Sequence, residues 1–155
     1  MATAESETLP EPSHLSDKAI LGLIAAYASA FVAFGLIVDG PEAVMRGLIE
    51  IVTTRDALLT DYFGVGGKGA ACVNAGLLTL AACFFYYRCA AKISGAAVAS
   101  LFLVLGFGLF GKNLLNIWFI VLGVFLYCRF MGETFATHIN TAFFGTALAP
   151  IFSEI

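Results

Sequence analysis

From Ala19 to Val38 the chain runs for 20 residues without a charged side chain. An α-helix rises about 1.5 Å per residue, so this stretch forms a rod of roughly 30 Å, the thickness of a bilayer's hydrocarbon core. That length and apolarity point to a transmembrane helix. Its small residues, Ala25, Ala26, Ala28, Ser29, Ala30 and Ala33, suit close packing against a second helix. The rest of the chain agrees. Of 155 residues, 60% are hydrophobic and 12% charged. Soluble domains are about 45–50% apolar and about 25% charged, so too few charges remain for a water-facing surface of ordinary chemistry.

Before this helix, residues 1–18 are polar, acidic and proline-bearing, and read as an N-terminal tail. The tail lacks the basic start and apolar core of a signal peptide. Ser16 or Asp17 is placed to cap the first helix. The net charge is −3, and much of the acid lies in the tail, which speaks against a nucleic-acid partner.

After the first span, Asp39-Gly40-Pro41-Glu42 ends one helix and begins another. Residues 41–62 are amphipathic, with Glu42, Arg46 and Glu50 four apart on one face. Such a helix lies in the membrane interface or packs as a re-entrant piece. Gly64 to Gly69 is a glycine-rich hinge. It lacks the phosphate-loop pattern and no strand precedes it. Further spans are predicted near 70–87, 96–110 and 114–130, with Tyr86, Tyr87, Trp118, Tyr127 and Arg129 as interfacial anchors. Residues 134–152 are too short and too interrupted to cross, and read as a re-entrant or unfinished segment. The fold class is therefore all-α: a polytopic helical membrane protein of about four transmembrane helices plus amphipathic or re-entrant segments, in one domain over 19–155.

Orientation is weakly marked. With the N-terminus inside, Lys18, Arg88, Lys92 and Arg129 lie inside and Arg46, Arg55, Lys68 and Lys112 outside. Four against four leaves the positive-inside rule balanced between the two orientations. The compact Arg88/Lys92 loop favours the N-terminus inside.

Between Gly95 and Phe130 lie 36 residues, about 54 Å as one helix, so the run must turn. Gly111-Lys112-Asn113 is the natural place. Either Lys112 reaches the headgroups from a plain turn, or Lys112, Asn113 and Asn116 face a polar cavity among the helices. Asn74 and Asn140 are similar lone amides, each explained equally by one interhelical hydrogen bond. His138 stands with Asn140 and Thr141. These seven residues, Asn74, Lys112, Asn113, Asn116, His138, Asn140 and Thr141, are the candidate polar lining. His138 and Glu133 form no HExxH motif, no nucleophile motif accompanies them, and the four cysteines show no metal-ligand spacing. Neither a catalytic site nor a metal or other cofactor is expected.

Three stretches, "GKGAACVNAGLLTL", "GFGLFGKNLLNIWFIVLGVFLY" and "HINTAFFGTALAPIFSEI", together resemble a family of uncharacterised bacterial multi-pass membrane proteins catalogued as a domain of unknown function. The resemblance runs from about Leu21 to the end and is most specific in the central glycine-lysine-asparagine stretch. It implies a bacterial inner-membrane location and a longer protein of two related halves, with this chain paired to a second half or another copy. A duplicated membrane protein with glycine-interrupted helices fits half of a small-solute or ion transporter. A structural or assembly subunit is the alternative. An intramembrane enzyme using His138 or Glu133 on lipid has the least behind it.

Overall fold

The computed structural model describes residues 15–55 and 60–153. The tail assigned to residues 1–18 thus lies mostly outside the described residues. Among those described are five α-helices: α1 Asp17–Thr53, α2 Tyr62–Arg88, α3 Gly95–Phe107, α4 Trp118–Met131 and α5 Phe135–Gly145, followed by a 3-10 segment, Thr146–Ser153. Ser16 caps α1, its side chain accepting from the Ala19 N–H at 3.3 Å.

Both long helices are broken. In α1 the break is Gly40, with φ at 78°, followed by Pro41. A left-handed φ suits glycine, and proline has no N–H to lose at the first position of the next helical piece. In α2 the break is Gly67, with φ at 86°. The glycine-rich hinge read at Gly64 to Gly69 is thus a helix with a single break. The break at Gly40 falls where the sequence ends one helix and begins another, and the amphipathic piece that follows runs as far as Thr53. Its Glu42, Arg46 and Glu50 form no ion pair with one another.

Residues 17–39 of α1 extend about 35 Å and residues 68–88 of α2 about 32 Å. They run antiparallel with their backbones in contact. A Cβ on Gly35 would stand 2.4 Å from the Gly69 carbonyl oxygen, and one on Gly76 2.6 Å from that of Ala28. Only glycine permits such an approach. Below this seam lies a shared apolar core from Leu78, Ala82 and Tyr86 of α2, Leu101 and Val104 of α3, Val121 of α4 and Phe143 of α5.

These two helices are long and apolar enough to cross a membrane. Exposed apolar side chains cover their outer faces, among them Leu23, Phe34 and Ile37 of α1, with Phe119, Leu122 and Phe130 on α4. Such surface suits hydrocarbon rather than water.

The spans read at 96–110 and 114–130 are shorter in the structure. α3 has 13 residues and α4 has 14, about 20 and 21 Å, against the roughly 30 Å of a hydrocarbon core. The ten residues between them form an irregular turn, because Gly108, Gly111 and two asparagines favour bends over helix. Their directions follow from contacts. Tyr86 meets Ser100 while Ala75 meets Gly108, so α3 runs antiparallel to α2. Ile120 meets Gly145 while Phe125 meets Phe135, so α5 runs antiparallel to α4. α3 and α5 both point from the Arg88 end of α2 toward the turn.

Candidate functional site

The α3–α4 turn is deeply buried. Lys112 is 0% exposed, Asn113 2% and Asn116 4%. Its position along α2 is set by Asn74, whose Nδ2 donates to the carbonyls of Gly108 at 2.7 Å and Lys112 at 2.8 Å. Arg88 ends α2 14 residues beyond Asn74, about 21 Å away. An isolated bridge between Asp61 and Phe110 ties the turn to the start of α2.

The turn is held by its own amides. Asn113 Oδ1 accepts from the Leu115 and Asn116 N–H groups, both at 2.9 Å. Asn116 Oδ1 accepts from the Asn113 N–H at 3.0 Å, and Asn116 Nδ2 donates to the Gly111 carbonyl at 2.9 Å. Asparagine side chains thereby satisfy backbone that neither helix pairs, the usual role of this residue in turns. Gly111 has φ at 80°, which lets the chain reverse. Asn113 Nδ2 lies 3.5 Å from the Tyr62 hydroxyl.

Lys112 is the chemical centre. The snorkelling lysine of a surface turn is not what the structure contains. Its Nζ donates to Thr146 Oγ1 at 2.8 Å and stands 5.0 Å from the centre of the Phe107 ring. Thr146 in turn donates to the Phe143 carbonyl at 2.6 Å, so its lone pairs face the lysine. No carboxylate among the described residues lies within 4.0 Å of Lys112. Asn74 Oδ1 is also buried and has no hydrogen-bond partner among the described residues. Among the described residues, the turn thus gathers a buried amine without a counter-charge and a buried amide oxygen without a donor, at the meeting point of α2, α3, α4 and α5. Such groups are expensive in a low-dielectric interior.

Of the seven residues read from the sequence, Asn74, Lys112, Asn113 and Asn116 come together here. The other three lie elsewhere. Asn140 Oδ1 accepts from the Tyr86 hydroxyl at 2.6 Å, and that hydroxyl is also 2.7 Å from Ser100 Oγ. This is a separate knot joining α2, α3 and α5. His138 pairs through Nε2 with Glu133 at the α4–α5 corner, with the Tyr127 ring edge-on to it. Thr141 is exposed. Thr146, Tyr62 and Phe107 belong to the site and do not stand out in the sequence as the asparagines do. For Thr146 a signal is present: a hydroxyl after Gly145 in an otherwise apolar run.

A further contact links the two helix breaks. Asp39 Oδ2 accepts from the Gly69 N–H at 2.5 Å. Asp39 thereby caps the renewed start of α2, supplying an acceptor to one of the N–H groups that the break leaves open.

No curated protein and no solved structure matches the chain. Residues 40–155, which are 116 of the 155, match the family described as "Protein of unknown function (DUF1576)", and the chain belongs to that family.

Proposed function

We propose that the protein is a non-enzymatic subunit of a small-solute transporter in the bacterial inner membrane. Its α3–α4 turn would enter the bilayer and leave by the same side. One observation carries the reading: Lys112, fully buried and without a carboxylate partner among the described residues, sits where two helices too short to cross the membrane meet. Transporters use interrupted helices to place polar groups at membrane depth. An unpaired buried amine supplies attraction for an anionic group. Completion of a pathway requires a second half or another copy, as the resemblance to longer, two-halved proteins supports.

The test is uptake of acetate, lactate, chloride and nitrate into proteoliposomes holding the full chain. Flux of at least one anion, lost in Lys112→Met, supports the reading. Absence of flux for all four, in vesicles where cross-linking shows the chain paired with another copy, overturns it.

The structural-subunit reading is favoured by a different observation. Asn113 and Asn116 spend hydrogen bonds on their own turn, as residues that only hold helices together do. Under that reading Asn74→Ala changes association and leaves no solute-dependent effect.

A further inference from the structure

The polar turn also borders open space. A cleft of about 400 Å³ is lined by Thr53, Thr54 and Arg55 at the end of α1 and by Asn113, Asn116 and Phe119 beside the start of α4. That volume falls in the range of about 300–1,000 Å³ found for small-molecule sites. Among the described residues that line it, none is acidic. Arg55 is exposed and has no carboxylate within 4.0 Å among the described residues. A guanidinium presents a fork of N–H donors matched to two oxygens of one anion. Beside it the Thr54 hydroxyl makes no hydrogen bond to a described residue.

The two helix ends at the cleft act in opposite senses. α1 finishes at Thr53 and brings the partial negative charge of a helix C-terminus. α4 begins after Ile117, whose side chain offers no cap, and brings the partial positive charge of a helix N-terminus. Among the described residues that line the cleft, Arg55 carries the one formal charge.

We infer that this cleft is an anion vestibule, taking a small singly charged oxyanion such as a carboxylate at Arg55 and Thr54, directly beside the turn that carries Lys112. The inference deepens the transport reading by naming the class of solute and its point of capture. Capture itself is measurable without flux.

The experiment uses Leu115, which lines the cleft and is 59% exposed. Leu115→Cys in the full chain is treated with an anionic sulfonatoethyl and a cationic trimethylammonioethyl methanethiosulfonate. The unsubstituted chain gives the background of the native cysteines. Each rate is divided by that of a small free thiol, and the anionic-to-cationic ratio is then taken. The expected ratio at low salt is roughly three- to tenfold above unity. It falls to about unity when Arg55→Gln is added, or in about 1 M salt, where the screening length shrinks to about 3 Å. Acetate at constant ionic strength slows the anionic reagent only while Arg55 is present. A ratio at or below unity, or one indifferent to Arg55→Gln, overturns the inference. If Leu115→Cys does not fold, Phe119→Cys, at 62% exposed, takes its place. A raised ratio in a protein without flux upholds the vestibule and overturns the transport reading. Flux without a raised ratio does the reverse.

Discussion

Lys112 Nζ donates to Thr146 Oγ1 across 2.8 Å, and that bond ties the α3–α4 turn to the end of α5. Thr146→Val removes the oxygen and leaves a buried amine without this acceptor. The expected loss of stability is about 1–3 kcal/mol, read as a lower melting temperature in detergent. Thr146→Ser keeps the oxygen and most of the stability. Lys112→Met removes the charge and retains the length. It is expected to leave the melting temperature unchanged or raised, because an unpaired buried charge contributes no net stability.

The α1–α2 seam is set by backbone contact. A Cβ at Gly47 would stand 2.0 Å from the Gly66 carbonyl oxygen, an immovable neighbour. Gly47→Ala is expected to cost about 1–3 kcal/mol as the helices part. Gly22 has nothing within 4 Å of its Cβ position. There Gly22→Ala gains up to about 1 kcal/mol from helix propensity. Parallel thermal melts of the two variants check the contrast.

Asp39 caps α2 from another helix. Asp39→Ala is expected to cost about 0.5–2 kcal/mol and Asp39→Asn much less, since the amide oxygen still accepts. Faster hydrogen exchange at Gly69 in the alanine variant, with exchange near Tyr86 unchanged, would locate the effect at the break.

Asn74 donates to two carbonyls of the turn. Asn74→Asp replaces that donor with a carboxylate facing both oxygens. It is expected to destabilise the chain by more than Asn74→Ala, which leaves the carbonyls unpaired at about 1–3 kcal/mol each. Equal melting temperatures for the two variants would contradict the geometry.

Much of this is legible in the sequence. Uninterrupted apolar length marks α1 and α2, and Gly40-Pro41 marks the first break. Lys112, Asn113 and Asn116 stand out because polar side chains are rare in such a run. What the sequence hides is non-local. No spacing relates Asp39 to Gly69, or Lys112 to Thr146, because those pairs arise from how the helices dock. Hydropathy overstates the lengths of α3 and α4 because it continues through the turn. Phe107, Phe110, Leu114 and Leu115 are as apolar as the helices they flank, so only the glycines and asparagines register the end of regular structure. His138 and Asn140 are near one another on α5 but face different partners outside it, His138 turning to Glu133 and Asn140 to Tyr86.

Lysine acylation measures the burial of Lys112 in the unaltered chain. The sequence holds four lysines, Lys18, Lys68, Lys92 and Lys112, and the first three are exposed. The folded protein in bilayers opened to both sides is treated briefly with a water-soluble acylating ester, and each site is quantified by mass spectrometry. Lys18, Lys68 and Lys92 are expected to react readily and Lys112 on the order of 100-fold more slowly, becoming equivalent only after unfolding. Acylation of Lys112 within a few-fold of Lys68 in the folded protein would contradict that burial, and would return the α3–α4 turn to the membrane surface.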